Sequence, residues 1–361
     1  MNIDVVFEIL LHLPVRSLLR FIGVHKSWYY IINSPQFRKL HTLRRNNNKD
    51  EEVYLCFTPY FITGRTQVSL NLLDNGKLLM WYYFQHNDEG SKDVSVSRAV
   101  KGLVCMSSRY ALDITICNPF LGQLRTLPLS SYATTHSRYI YDHHVGLGFH
   151  EDYKVVWLHP CWEHSCLHVN LYSARTNSWR ELNCDQDLII EKPIKSVCKN
   201  GSFAHWEGRN RSGEKIILSF DMKNEVFRTI TISRLGDHVL DNYFWLHKVL
   251  VILAKDECSF VILVVDKYKL NVYESSGEGS ELIWNNVNNV DLYSFWKCDF
   301  RGSDEIPFWR NDNCVIIRGR TSREVLLYDY RARKFIRQFM MLGSLATGDD
   351  IIEYEGSLIS P

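Results

Sequence analysis

The sequence has no surplus of charge of either sign: 42 Lys and Arg stand against 41 Asp and Glu. A chain this close to neutral has no overall field to concentrate a polyanion, so nucleic-acid binding is disfavoured. Long apolar runs are also missing. Stretches such as Phe260–Val265 fall far below the roughly 20 residues that cross a bilayer. Asp4, Glu8 and His12 interrupt the apolar residues ahead of Pro14, which excludes the core of a secretory leader. A soluble protein of the cytoplasm or nucleus, without membrane contact, is expected. The 10 cysteines lie scattered between Cys56 and Cys314, a distribution that reads as reduced thiols rather than a disulfide framework.

Signatures of catalysis are scarce as well. No Gly-rich loop followed by Lys stands between a strand and a helix, so phosphate cradling of the P-loop kind is unsupported. No G-x-S-x-G elbow presents a serine nucleophile, and Gly277–Ser280 reads as a hairpin turn. Glu51-Glu52 and Asp349-Asp350 are neighbours whose side chains diverge on a strand, a poor geometry for acid–base work. The segment His159–His168 does gather Cys161, His164, Cys166 and His168, side chains able to ligate zinc. Its C-x4-C spacing matches none of the common zinc patterns, so a loop joining two strands is expected, with no metal and no cofactor. His143 and His144 are expected to face solvent.

What is present divides into two parts. Val6, Ile9, Leu10 and Leu13 recur at i, i+3, i+4 and i+7, which predicts a helix from about Ile3 to His12. Pro14 ends it and opens a second helix bearing Val15, Leu18, Leu19 and Ile22, since proline fits a first helical turn. Val24, Ser27, Trp28 and Ile31 mark a third, and Ser34 is placed to cap a short fourth turn over Pro35–His41. Three such short helices cannot bury enough surface alone, so some apolar faces should meet a partner. The polar stretch 46–52 then reads as a linker.

Beyond it aromatics dominate, with 19 Tyr and 10 Trp, a composition suited to pleated surfaces. A unit of strand, polar turn and strand recurs. Asn118, Ser173, Asp221, Glu274 and Asp329 mark equivalent points separated by 55, 48, 53 and 55 residues, with a weaker copy near Asp74. That spacing is close to the ~50-residue period of kelch-type blades, and a chain of ~310 residues then holds about six. The expected fold is a small all-α module over 1–45, a linker over 46–52 and a mainly β domain over 53–361, a β-propeller of about six blades.

The run DVVFEILLHLPVRSLLRFIGVHKSWYYIINSPQFRKLH resembles the plant F-box. The resemblance implies binding to a Skp1-like adaptor and, through it, to a cullin scaffold. It places Val5, Ile9, Leu10, Leu13, Pro14, Val15, Leu18 and Trp28 on adaptor-contacting motif positions. Met1-Asn2 stands where the family usually has Leu-Pro, and His25 replaces a common Cys. Asn for Pro removes a preset φ, pointing to adaptor contact weaker than the family's usual one.

The segments KGLVCMSS, ICNPF, LRTLP, VGLGFHEDYKVVWL, LYSARTNSWREL, ILSFDMKNEVFRTI, LLYDYRARKF and EGSLISP resemble the plant F-box-associated domain, including that of the S-locus F-box-like group. This implies a non-catalytic receptor that captures a protein substrate for an SCF-type ubiquitin ligase; an S-RNase is the substrate implied for the self-incompatibility subset. Two alternatives stand beside it: an F-box protein acting outside a ligase, and a propeller enzyme. Substrate contact is expected from the loops Ser130–His144 and His159–His168, through Tyr139, Tyr141, Trp162 and His164, whose amphipathic side chains suit binding hot spots. Trp179 and Phe227 are expected to fill spaces between blades.

Overall fold

A computed structural model describes residues 2–44, 53–62, 65–74, 77–86, 94–108, 113–131, 144–160, 167–184, 188–194, 201–232, 248–254, 259–266, 269–277, 282–291, 308–310, 314–318, 324–340, 350–354 and 356–361. The stretch read as a linker lies outside the described residues.

Four helices open the chain: α1 (Ile3–Leu11), α2 (Val15–Phe21), α3 (Lys26–Asn33) and α4 (Pro35–Arg44). Their ends follow local capping chemistry. Asn2 caps α1, its Oδ1 accepting the Asp4 N–H at 3.0 Å. His25 caps α3, its Nδ1 accepting the Ser27 N–H at 3.1 Å. The two departures from the usual F-box wording thus each supply a side-chain acceptor to otherwise unpaired helix N–H groups. Pro14 sits at the N-cap of α2, one position earlier than its expected place within the first turn. Ser34 Oγ accepts the Phe37 N–H at 3.2 Å, and Pro35 takes the first position of α4, where its missing N–H costs nothing. That helix runs on to Arg44, past the expected end at His41.

The β region forms six four-stranded antiparallel sheets among the described residues. The first holds β1 (Val53–Ile62), β2 (Arg65–Asp74) and β3 (Lys77–His86), and the second β4 (Val94–Val96), β5 (Val104–Ser108), β6 (Ile114–Asn118) and β7 (Gln123–Thr126). The third contains β8 (His144–His150), β9 (Asp152–Pro160), β10 (Leu167–Ser173) and β11 (Ser178–Leu182). The fourth contains β12 (Leu188–Pro193), β13 (Phe203–Asn210), β14 (Lys215–Asp221) and β15 (Val226–Thr231). The fifth contains β16 (Lys248–Ala254), β17 (Phe260–Asp266), β18 (Lys269–Ser276) and β19 (Ile283–Asp291). The sixth contains β20 (Phe308–Arg310), β21 (Cys314–Arg318), β22 (Glu324–Asp329) and β23 (Lys334–Met340). A last strand, β24 (Asp350–Glu353), pairs with β1 and completes the first sheet in the order β24-β1-β2-β3. Four-stranded meanders, built from chain neighbours in five sheets and completed by β24 in the first, are the blades of a propeller.

The repeated hairpins are the third and fourth strands of these sheets. Asn118, Ser173, Asp221 and Asp329 each end a third strand, and Asp74 ends the corresponding strand of the first sheet. Glu274 lies two residues inside the end of β18, so the fifth copy is offset. One turn chemistry recurs. Asn118 Oδ1 accepts the N–H groups of Phe120 and Leu121 at 3.0 and 3.3 Å. Asp221 Oδ1 accepts those of Lys223 and Asn224 at 2.8 and 3.1 Å, and Asp329 Oδ1 those of Arg331 and Ala332 at 3.0 and 2.7 Å. Four residues after the strand end the chain turns left-handed, at Gly122, Asn177, Glu225 and Arg333, with φ of 61, 50, 58 and 55°. A short polar side chain at the first position, Asx in three of these four turns and Ser173 in the other, and a tolerated positive φ at the fifth define this turn.

The third strands β6, β10 and β14 are buried along most of their length, as at Lys215–Phe220, whereas β7 and β11 are largely exposed; the former therefore read as apolar runs and the latter as mixed. Apolar clusters join the third sheet to the fourth, the fourth to the fifth and the fifth to the sixth. The GLGF wording of β8 serves this packing. A Cβ on Gly146 would lie 2.4 Å from the Trp206 ring, and one on Gly148 2.2 Å from Met222. Phe227 packs at the margin of the cluster between third and fourth sheets. Trp179, expected between sheets, meets Tyr172 and Trp157 of its own sheet at 5.3 and 6.0 Å and also reaches past it, donating to the Pro128 carbonyl at 2.6 Å. His144, expected to face solvent, is half-buried with Nε2 3.0 Å from the Ile190 carbonyl.

Two compact units result: Met1–Leu127 with Ile352–Pro361, and Pro128–Ile351. The helices share the first unit with the second sheet and the chain's last residues.

Candidate functional site

Helix α1 is apolar on more than one face, and packing uses only part of it. Val6, Leu10 and Leu11 are buried together with Val15, Leu18, Ile32 and Phe37. Phe7 meets Phe37 edge-on at 5.3 Å, and Phe37 stacks on His41 at 5.9 Å. His41 Nε2 lies 2.9 Å from the Leu13 carbonyl. A carbonyl only accepts, so Nε2 carries the proton and ties α4 to the corner between α1 and α2. An exposed ion pair, Arg44–Glu8 at 2.8 Å, adds little in water.

The eight residues assigned to adaptor contact separate into three groups. Val5 and Ile9, one turn apart on α1, are 51% and 54% exposed. Leu13 and Pro14 at the corner and Trp28 on α3 are half-buried, the Trp28 ring lying 5.2 Å from Phe21. Leu10, Val15 and Leu18 are in the module's own core, at most 2% exposed. Ile9 therefore does not share the buried face with Val6 and Leu10, as its spacing predicts. Ile3, Val24, Tyr29 and Tyr30 join the exposed apolar set, with the Tyr29 and Tyr30 rings edge to face at 5.5 Å. Tyr30 falls outside the i, i+3, i+4 stripe of α3, and that mismatch was the available signal. Apolar surface left in water on a helical module is surface that a partner could bury.

Of the residues assigned to substrate contact, Tyr139, Tyr141, Trp162 and His164 lie outside the described residues, as do Cys161 and Cys166. Their anchors are described. His144 pairs with Leu158, and Pro160 with Leu167, so the connections 132–143 and 161–166 leave from the same end of the third sheet. His159 and His168 stack at 5.4 Å within it. His168 Nδ1 lies 3.2 Å from Glu181 Oε1, and His159 Nε2 2.9 Å from Asn170 Nδ2. Among the described residues no three His, Cys, Asp or Glu side chains gather as metal ligands would.

A polar cleft of about 490 Å³ opens among the turns of the third and fourth sheets, around Lys154, Arg180 and Glu225. Lys154 Nζ lies 2.8 Å from Glu225 Oε1, and Arg180 pairs with the same carboxylate. Arg175 pairs with Glu151 at 3.2 Å. Burial, then the charges of Arg180 and Arg175, hold the Lys154 ammonium below its ordinary range. Lys154 and Arg180 thus share one carboxylate while Arg175 takes another, an arrangement that braces turns.

A family model described as the F-box domain matches residues 1–40, and one described as the F-box associated beta propeller domain matches 75–249. The chain belongs to the plant F-box proteins with an F-box-associated domain. This F-box protein is 23% identical to an F-box/kelch-repeat protein of Arabidopsis thaliana over 98% of its own length and 86% of the relative's. A second F-box/kelch-repeat protein of that plant is 26% identical over 63% of this chain and 64% of the relative. Among solved structures, AztD from Citrobacter koseri aligns at TM-score 0.41 with 8% identity, over 85% of this chain and 100% of that one. The Dos1 propeller aligns at TM-score 0.39 with 11% identity, over 81% of this chain and 74% of that one. These two likenesses lie below the level at which detailed geometry transfers. No helix among the described residues of this F-box protein is long and apolar enough to cross a membrane.

Proposed function

We propose that this F-box protein is the substrate-recognition subunit of an SCF-type ubiquitin ligase. The observation that carries the reading is the exposed apolar face of Val5 and Ile9 on an F-box whose buried apolar residues share a core with a sheet of the propeller domain. That face takes a Skp1-like adaptor, with Leu13, Pro14 and Trp28 at its margin. Leu10, Val15 and Leu18 act from beneath it by holding the helices in place. The adaptor connects to a cullin scaffold, and ubiquitin transfer takes place on partner subunits, so the receptor contributes proximity rather than a catalytic group. It works in the cytoplasm or nucleus.

Substrate capture falls to the connections leaving one end of the third sheet, through Tyr139, Tyr141, Trp162 and His164. Loops on a rigid scaffold commonly carry binding, and these supply amphipathic rings of the kind enriched at hot spots. Exchanging both loops for those of a related F-box protein should abolish substrate ubiquitination while leaving the fold and adaptor binding intact.

Affinity capture from native tissue with the proteasome inhibited tests the reading. Recovery of a Skp1-like protein, a cullin and enriched ubiquitinated proteins is expected. Recovery of the adaptor without a cullin would place the protein outside a ligase.

A further inference from the structure

Asn118 does more than close its turn. Its Oδ1 accepts the Phe120 and Leu121 N–H groups, as Asp221 and Asp329 do at the same point of their own sheets. The turn therefore accepts an aspartate. What aspartate lacks is the amide nitrogen, and here Nδ2 donates to the carbonyls of Ser357 and Ile359 at 3.0 and 2.7 Å. Asn118 and Ser357 are buried, where an unmade hydrogen bond costs most.

Three further contacts draw the chain's last residues to the second sheet. The Tyr354 hydroxyl lies 2.8 Å from the Gly102 carbonyl and 3.1 Å from Asn118 Oδ1, and its ring stacks on Phe120 at 5.6 Å. Gly102 has φ +76°, and a Cβ there would sit 2.4 Å from Ser357 Oγ. A Cβ on Gly356 would sit 2.2 Å from the Phe120 ring. The same segment also reaches the helices. Tyr354, Leu358 and Phe120 belong to the apolar cluster of Leu10, Leu18 and Phe37, and Arg38 donates to Ser360 Oγ at 3.1 Å.

We propose that Tyr354 and residues 356–361 form a clasp fixing the F-box helices on the second sheet, with Asn118 as its positioning residue. The clasp sets the orientation of the adaptor-docking face on the sheet beneath it. Its consequence for ubiquitin transfer rests on the receptor reading above; the clasp itself does not.

The test is Asn118→Asp in the full chain. The new carboxylate still closes the turn but faces the Ser357 and Ile359 carbonyls with oxygen. Amide exchange of 354–361 should accelerate about tenfold or more, as loss of buried hydrogen bonds requires. Spin labels on noncanonical residues at positions 30 and 124, both exposed in the native protein, should report one narrow distance distribution in the parent and a broader one in the variant. Tyr354→Phe, which keeps the ring stack, should give a smaller increase in exchange and covers the case in which N118D fails to fold. A broad distribution in the parent, or exchange at the parental rate in both variants, overturns the clasp. Failure of the parent to bind a Skp1-like adaptor would instead overturn the receptor reading, with the distance result unaffected.

Discussion

Replacing Val5 and Ile9 together by alanine should separate docking from folding. Both side chains are about half exposed, at 51% and 54%, while the adjacent Leu10 is 2% exposed. Full burial of an aliphatic side chain is worth ~1.5–3 kcal/mol, so the half still in water leaves roughly 0.75–1.5 kcal/mol per residue for a partner to gain. The pair should weaken adaptor binding by about 1.5–3 kcal/mol, or about 10- to 150-fold in Kd. The fold should lose about 1 kcal/mol or less, because alanine's higher helix propensity offsets part of the lost burial. Leu10→Ala should behave in the opposite way, costing about 2–5 kcal/mol of stability through the cavity it leaves. Calorimetric titration with a purified Skp1-like adaptor, beside denaturant unfolding of each variant, gives both numbers. Adaptor affinity within twofold of the parent in V5A/I9A would refute the docking face.

Gly146→Ala should cost about 1–3 kcal/mol by overpacking against the Trp206 ring; an unchanged unfolding midpoint would mean that the ring gives way. Lys215 and Glu207 form an ion pair buried on both sides, with Glu191 3.2 Å from the same ammonium. Lys215→Met should lose about 3–5 kcal/mol by stranding the Glu207 carboxylate, and K215M/E207Q should regain much of it; equal losses in both would contradict this. Burial, then the neighbouring Cys117, raises the Cys105 thiol far above its ordinary value, and burial pushes Cys117 up to about 12. At pH 8 iodoacetamide should therefore modify the half-buried Cys184 and Cys314 at least about tenfold faster than either. Mass mapping of alkylated peptides checks it, and comparable labelling of Cys105 would count against the buried assignment.

The hairpins were legible because their turns are local. An Asx side chain reaches only two or three residues ahead, so Asn118, Asp221 and Asp329 declare themselves in any reading along the chain, and Asp74 marks the faintest copy correctly. The helix ends were legible for the same reason, through Pro14, Ser34 and Pro35. Sidedness was not. On α1 nearly every position is apolar, and a spacing rule groups Ile9 with Leu10 although packing turns one outward and the other inward. Glycines 146 and 148 gave no hint of their purpose, because the side chains that need the space come from another sheet. The clasp was least accessible: Asn118 and Ser357 are 239 residues apart, and EGSLISP is only a wording until it is seen against Gly102 and Phe120.

The central claim is that one chain joins a propeller domain to a ligase through its F-box. Mass measurement on a mixture of the purified full chain, a Skp1-like adaptor and a cullin tests this most directly. A single ternary species containing one copy of each, lost on V5A/I9A and retained on exchange of the two loops, is the predicted result. A chain that stays separate from the adaptor–cullin pair at micromolar concentration, while folded, would contradict it.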